Sequence, residues 1–383
     1  MARPRFVRVT ICVLTLFLTS VSFAYCGESA NPFVWHSSVP EELGISSEKF
    51  DAMLDRLKER STAGILVVRH DRVVGEWYSS KLGPDIKHYT ASLAKALVGG
   101  MSLLLVLNDE LMQIDDPAEC YVAEWGDDPT RKGITIRHLA THSSGIEDAE
   151  VAGMGHFESG GWKSRFWNKN PDPFTISRDW APMKFKPGTG FEYSNPGMAM
   201  LAYAVTAALQ NSPHKDIRTL LRERIMRPIG VPDEEWNIGY GQTYEVNGRG
   251  MVANWGGGNY SARAVARVGR LMLRKGNWEG EQLIDSKWVE KVTADAETPD
   301  PFRGPGEGPC PRAGLAWWVN SDGNLSKVPR DAFMGAGAGN QVLLVIPSLD
   351  LMAVRFGGLM KEESFWGGLE EFLFNPLMDA IVK

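Results

Sequence analysis

The sequence contains little cysteine and little net charge, and both shortages exclude classes of protein. Four cysteines in 383 residues are too few for a disulfide framework. The 41 basic residues against 47 acidic ones leave a formal net charge of −6, which argues against a nucleic-acid protein. Hydrophobic residues make up 43% and charged residues 23%, so a disordered chain is also excluded. The composition is that of a globular protein with a large core.

Several common site signatures are also absent or incomplete. No Gly-x-Ser-x-Gly elbow occurs, so the usual α/β-hydrolase interpretation has no nucleophile. The run Gly335–Gly339 looks like a dinucleotide loop, but it leads into a predicted strand instead of a helix, which argues against a nucleotide site. His138 and His142 have the i, i+4 spacing of a zinc pair, yet the glutamate that would act as general base is missing. No metal or other cofactor is therefore implied.

The chain begins with a basic segment followed by an apolar one. Three arginines precede the uncharged stretch 9–24, and Ser22 and Ala24 stand at the −3 and −1 positions of a cleavage site. This pattern predicts a secretory signal peptide over 1–24, a linker over 25–39 and an exported protein, periplasmic or secreted. The alternative is an uncleaved N-terminal anchor, for which the apolar stretch is marginal in length. After cleavage we expect no stable membrane insertion.

The spacing of apolar residues predicts an α/β (α+β) protein. The expected helices are 41–60, 92–107 and 365–382, of which the second is apolar nearly all round and therefore buried. The expected strands are 64–69, 73–78, 315–320, 341–346 and 351–356. Strands from both ends are predicted to complete one antiparallel sheet, with a mostly helical part inserted between them. The α/β part covers about 40–95 and 300–383, and the helical part about 96–299.

Ser-x-x-Lys occurs three times, and its surroundings separate the three copies. Ser46–Lys49 opens an amphipathic helix, where the serine is most simply a cap, and Ser212–Lys215 lies in a polar turn. Only Ser92–Lys95 opens the buried helix. There the helix N-terminus favours a developing anion, and burial favours the neutral amine that a base requires. Ser92 is therefore the candidate nucleophile and Lys95 a candidate base.

A second element strengthens this interpretation. The segment Tyr193–Asn195 follows a Pro-Gly turn and places a phenol and a carboxamide two residues apart. In an extended segment, residues i and i+2 point the same way. Tyr193 can thus relay a proton, while Asn195 holds the substrate or the lysine. The structural alternative is a buried tyrosine and an asparagine in a turn.

Taken in this order and spacing, the motifs resemble those of the serine β-lactamase and penicillin-binding-protein superfamily. The similarity is to its class C-like group, which includes β-lactamases, D-aminopeptidases, carboxylesterases and 6-aminohexanoate-dimer hydrolases. Ser92–Lys95 matches the first motif and Tyr193–Asn195 the second, and the segment 134–145 resembles the family's connecting segment. The resemblance runs from about residue 40 to the C-terminus. It implies a β-lactamase/transpeptidase-like fold and acyl transfer through a serine ester.

The third motif departs from the family pattern. Where the family has Lys or His, a small residue and then Gly, this chain has Gly335-Ala336-Gly337. In β-lactamases that cation helps to hold the substrate carboxylate. We therefore expect an esterase or amidase acting on a small ester, amide or peptide, in preference to a β-lactamase or a D-Ala-D-Ala carboxypeptidase. The amides of Ser92 and Ala338 are expected to form the oxyanion hole.

Thirteen tryptophans are more than a chain of this length usually has. Trp162 and Trp167 lie in the loop-rich segment 153–186, which we interpret as an aromatic lid. Of the adjacent Trp317 and Trp318, one is expected in the core and the other, taken as Trp318, along the cleft. Aromatic walls without the usual cation favour a neutral, apolar acyl group. A non-catalytic relative that binds ligands in the same cleft is the competing hypothesis.

Overall fold

The structure is a computed structural model that describes residues 33–299, 310–361 and 364–382. The predicted signal peptide lies outside the described residues, as does most of the predicted linker. Within the described ranges, no helix is long and apolar enough to cross a membrane. In the same ranges no disulfide joins Cys120, which is exposed, to Cys310, which is buried.

Groups of strands and groups of helices follow one another along the described chain. The strands are β1 His36–Ser37, β2 Thr62–Arg69, β3 Arg72–Tyr78, β4 His88–Ala91, β5 Trp236–Asn237, β6 Tyr244–Val246, β7 Arg249–Met251, β8 Gly258–Tyr260, β9 Asn277–Trp278, β10 Glu281–Gln282, β11 Arg312–Ala313, β12 Trp318–Val319, β13 Phe333–Gly337, β14 Gln341–Ile346 and β15 Leu351–Gly357. The α-helices are α1 Ser47–Lys58, α2 Met101–Asn108, α3 Ile136–Ala140, α4 Gly161–Asn168, α5 Pro173–Asp179, α6 Asn195–Ala208, α7 Ile217–Leu221, α8 Ala262–Leu273, α9 Ser286–Val292, α10 Phe365–Leu369 and α11 Asn375–Ala380. Wider π-helical turns cover Lys95–Gly100, Arg222–Met226 and Glu370–Phe374.

Eight of the described strands form one sheet in the order β1-β3-β2-β15-β14-β13-β12-β11. All neighbours are antiparallel except β1 and β3. Strand β2 pairs with β15 next to the centre of the sheet, so strands from the two ends of the chain meet there, as the sequence predicts. Strands β5 and β8 of the smaller sheet β4-β8-β5, and the hairpin β6-β7, lie in the part expected to be mostly helical, whereas β4 precedes it.

The period of two along the central strands divides the core into two layers. On β2, Leu66 and Val68 belong to one cluster, which includes α8, whereas Ile65 and Val67 belong to another, which includes α1 and α11. Successive side chains of a strand point to opposite faces, so helices cover both faces of the sheet. This explains why β14 and β15 are buried along their whole length.

The predicted elements occur with changed boundaries, each for a local reason. The helix expected at 41–60 is interrupted at Gly44, whose φ of 64° ends a short 3-10 turn before α1 begins. The strand expected at 315–320 is reduced to β12 because Ala316 has a φ of 61°, outside the extended region. The buried helix expected at 92–107 occurs as a π-helical turn followed by α2. The division into two interleaved parts stays a prediction.

Strand β13 lies unusually close to the turn that carries Ser92. A Cβ atom on Gly337 would lie 2.6 Å from the Leu93 backbone nitrogen and 2.8 Å from that of Ser92, and it would also meet the Thr90 carbonyl. No side chain larger than hydrogen fits between these backbones. Glycine at this position therefore allows the approach of β13 to the turn.

We predict that Gly337→Ala forces β13 away from the turn and lowers the free energy of unfolding by about 1–3 kcal/mol, the usual cost of overpacking. Urea denaturation measures this change. Gly133→Ala is the matched control, because its added methyl would meet only Pro187, at 3.9 Å. Equal stabilities of the two variants would contradict the close approach.

Candidate active site

Ser92 lies in the turn between β4 and the π-helical segment. The preceding residue, Ala91, has a φ of 47°, and the Leu93 amide donates to the Thr90 carbonyl at 3.1 Å to close the turn. Left-handed alanine is a sparsely populated conformation that the surroundings must impose. The Ser92 side chain is held at the edge of a cleft of about 760 Å³, which it lines.

The Lys95 ammonium is buried, and all three of its N–H groups have partners. Nζ lies 3.2 Å from Ser92 Oγ, 2.7 Å from Asn195 Oδ1 and 2.9 Å from the Trp255 carbonyl oxygen. Burial lowers the pKa of Lys95 to about 8, although the nearby carboxylates of Glu150 and Asp148 raise it. A lysine with this pKa can lose its proton near neutral pH.

Tyr193 lies beside the same lysine, surrounded by aromatic rings. Lys95 Nζ is 4.5 Å from the centre of its ring, and the rings of His142 and Trp318 lie 4.6 and 6.2 Å away between centroids. Burial raises the pKa of Tyr193, and its hydrogen bond with the Ser92 side chain opposes that shift. The structure thus brings Ser92, Lys95, Tyr193 and Asn195 together.

The orientation of the Asn195 amide is fixed by acidic residues that the sequence did not indicate. Its backbone N–H and its Nδ2 donate to Asp148 Oδ1 at 2.8 and 3.0 Å, and Nδ2 also lies 3.4 Å from Glu150 Oε1. Because both partners of Nδ2 are carboxylates, the carbonyl oxygen of the amide must face Lys95. Burial raises the pKa of Asp148 to about 6, against the hydrogen bond from the Asn195 amide.

His142 also belongs to this site, without any metal pairing. Helix α3 ends at Ala140, so His142 is not on a helical face shared with His138, which forms a capping box with Thr135. His142 Nδ1 instead accepts the Ser194 N–H at 3.1 Å. Burial, together with Lys95, lowers the pKa of His142 to about 3, so the ring is neutral. Among the residues described, no cluster suited to a metal ion occurs.

The remaining predicted residues lie around the cleft or behind it. Ala338 lines the cleft together with Ser92, and Gly337 packs against the Ser92 turn. Trp317 is buried, as one of the two adjacent tryptophans was expected to be. Trp318 is not among the described cleft residues. It stacks on Tyr193 and borders a small cavity that Lys95 and His142 also line, so its role in binding the substrate stays a prediction.

The predicted aromatic lid contributes one tryptophan to the cleft. Trp167 lines it, stacks on His156 with 3.8 Å between ring centroids, and donates from Nε1 to the Ala149 carbonyl. Trp162 packs against the core, and Trp180 is exposed. The expected contact of Trp162 with the cleft is therefore not found.

The other two Ser-x-x-Lys copies have structural roles. Ser46 accepts the Lys49 N–H as the cap of α1, which confirms that prediction. Lys215 Nζ donates to the Gln210 carbonyl in an exposed turn. Neither pair lies in the cleft that Ser92 lines.

Comparison with known proteins agrees with this arrangement. The family model described as Beta-lactamase matches residues 50–363. The chain belongs to the β-lactamase family. Over 340 residues it is 27% identical to the 6-aminohexanoate-dimer hydrolase of Paenarthrobacter ureafaciens, covering 85% of this chain and 80% of that protein.

Solved structures of the same fold include a penicillin-binding protein homologue and a carboxylesterase. A penicillin-binding protein homologue from Caulobacter crescentus matches with a TM-score of 0.63 and 14% identity, over 86% of this chain and 97% of that one. A family VIII carboxylesterase matches with a TM-score of 0.62 and 16% identity, over 87% and 99%. The sheet flanked by helices is thus the β-lactamase/transpeptidase-like fold.

The raised pKa of Asp148 makes the stability of the protein depend on pH. Because burial raises its pKa from 3.8 to about 6, the folded state binds its proton more tightly than the unfolded state, and stability falls as the pH rises through about 6. Asp148→Asn keeps an acceptor for Asn195 but has no proton to lose. Between about pH 4.5 and pH 7.5, the free energy of unfolding of the variant should gain about 2 kcal/mol relative to that of the wild type.

Urea denaturation at the two pH values measures this difference. The control is Asp127→Asn, a change at an exposed carboxyl. If the wild type and D148N differ in stability by the same amount at both pH values, the pKa of Asp148 is not raised in the folded state.

Proposed function

We propose that the protein is a serine hydrolase that cleaves an ester or an amide through an acyl-enzyme on Ser92. The observation that carries this proposal is the contact of Ser92 Oγ with Lys95 Nζ, at 3.2 Å, beside a cleft large enough for a small substrate. The relatives named as a dimer hydrolase and a carboxylesterase support a hydrolase. The N-terminal pattern supports export as a further part of the proposal.

In the proposed reaction, Ser92 Oγ bonds to the substrate carbonyl carbon while its proton passes to Lys95, directly or through Tyr193. The N–H groups of Ser92 and Ala338 donate to the resulting oxyanion. The bond to the alcohol or amine then breaks, and this leaving group takes the proton. Water attacks the acyl-enzyme, the serine ester breaks, and Ser92 regains its proton.

Two observations favour Lys95 as the principal base. Burial lowers its pKa to about 8, whereas burial raises the pKa of Tyr193. At neutral pH, Lys95 is therefore far easier to deprotonate. Tyr193, whose hydroxyl is hydrogen-bonded to Ser92 and whose ring lies 4.5 Å from Lys95 Nζ, is suited to pass the proton to the leaving group.

The absence of the third-motif cation distinguishes this site from that of a β-lactamase. A Cβ atom on Gly335 would lie 2.6 Å from Leu93 Cδ1 and 2.7 Å from Ala96 Cβ. A lysine or histidine there would have to displace the helix that carries Lys95. We therefore favour esters and amides over β-lactams or D-Ala-D-Ala peptides.

Ser92→Ala should abolish both the turnover of p-nitrophenyl acetate and labelling by a fluorophosphonate probe, because it removes the hydroxyl that lies 3.2 Å from Lys95 Nζ and acts as nucleophile in the proposed reaction. Ser212→Ala is the matched control, since it removes the serine of a Ser-x-x-Lys pair outside the cleft. Undiminished activity of S92A would refute the mechanism. A wild type with neither turnover nor label would instead indicate the non-catalytic, ligand-binding relative.

The pH dependence tests the assignment of the base. Because only neutral Lys95 accepts a proton, kcat/KM for p-nitrophenyl acetate should rise with pH and level off above about 8. The Glu150 charge raises the pKa of Lys95, so Glu150→Gln should move the midpoint to lower pH. Rates measured across about pH 5.5–9.5 give both midpoints. Identical midpoints in E150Q and wild type would exclude Lys95 as the titrating base.

A further inference from the structure

Lys169 has a left-handed backbone conformation that glycine adopts more readily than lysine. It follows the last residue of α4 and has a φ of 58°, the left-handed conformation that commonly ends helices. Glycine is the usual residue there because its lack of a Cβ removes the steric cost. A lysine at this position therefore indicates a use for its side chain, since the backbone gains nothing from it.

The Lys169 side chain leaves the helix end and lines the cleft. Its Nζ lies 4.3 Å from the centre of the Tyr240 ring and 3.3 Å from Gln242 Oε1. Ser92 lines the same cleft. The ammonium thus has one neutral hydrogen-bond acceptor and one aromatic face, and it retains N–H groups for a further partner.

The two charged side chains that line the cleft, Glu150 and Lys169, differ in their partners. Glu150, which also lines it, lies 3.4 Å from Asn195 Nδ2 and 3.7 Å from His156 Nε2. Lys169 forms no ion pair with any carboxylate of the described residues, and partial burial lowers its pKa. Glu150 thus has an amide N–H and an imidazole as neighbours, whereas Lys169 has only the neutral Gln242 oxygen and the face of the Tyr240 ring.

We propose that Lys169 binds a carboxylate of the substrate, so that the preferred ester or amide carries an anionic group away from the bond that is cleaved. This proposal rests on the proposed function. It gives the substrate a negative charge, whereas the sequence favoured a neutral, apolar acyl group. The cation missing at Gly335 on strand β13 is supplied by α4, from the segment 153–186. Glu150, close to Asn195, repels an anion placed near the nucleophile and so favours one orientation of the substrate.

The test compares matched pairs of charged and neutral esters. One pair carries the carboxylate in the acyl chain, mono-p-nitrophenyl glutarate against p-nitrophenyl pentanoate. The other carries it in the leaving group, 4-carboxyphenyl acetate against phenyl acetate. In Lys169→Met, the ratio of kcat/KM for the charged ester to that for the neutral one should fall about tenfold or more in at least one pair.

Further variants separate the charge of Lys169 from its effect on the fold. Lys169→Gly suits the left-handed backbone and removes the cation, so its ratio should fall as in K169M. Lys169→Arg keeps the charge and should retain most of the ratio. Lys184→Met is the control, because Lys184 is exposed and paired with Glu192. An unchanged ratio in both K169M and K169G, or an equal fall in K184M, would overturn the proposal.

Binding to an inactive protein gives a readout that does not depend on catalysis. Calorimetry of glutarate with the S92A protein and with the S92A/K169M protein compares the affinities directly. We expect the second to bind about tenfold more weakly. Equal affinities would refute the Lys169 site even if Ser92 is the nucleophile, whereas inactivity of the wild type on every ester would refute the proposed function alone.

Discussion

The buried ammonium of Lys95 is the group on which the arrangement of the site depends. A buried cation is tolerated only when its N–H groups have acceptors, and the three acceptors come from distant parts of the chain. Asn195 stands at the start of α6, Trp255 lies just before β8, and Ser92 is on the turn after β4. Satisfying one lysine therefore fixes three segments relative to one another.

The acidic residues around Asn195 extend this constraint outward. Asp148 holds the amide so that its carbonyl faces the lysine, and Glu150 adds a second acceptor for the same amide. Their charges keep the lysine more basic than burial alone would leave it. On the other side, neutral His142 and Trp318 pack against the ring of Tyr193. Hydrogen bonds thus connect Lys95 to Asn195 and Asp148, and aromatic rings pack on the other side of Tyr193.

Much of the fold and the centre of the site follow from the sequence, because both depend on local patterns. The hairpin of β2 and β3, the buried helix after Ser92 and the spacing of Tyr193 and Asn195 are visible in short stretches. The contribution of Trp255 is not visible, since any residue has a backbone carbonyl. Asp148 was missed because its role depends on contact with a helix that begins far along the chain. The stacking of Trp318 on Tyr193 is also not visible, because strand alternation gives a face but not the neighbour on that face.

Because β2 pairs with β15, parts of the site that are far apart in the sequence can meet only late in synthesis. Ser92 emerges from the ribosome long before Ala338, and the sheet that brings them together requires the last strand to pair with the second. Contacts between such distant segments form late in folding, since loop closure must precede them. The nascent chain therefore carries Ser92 through most of translation before strand β13 and Ala338 can join it.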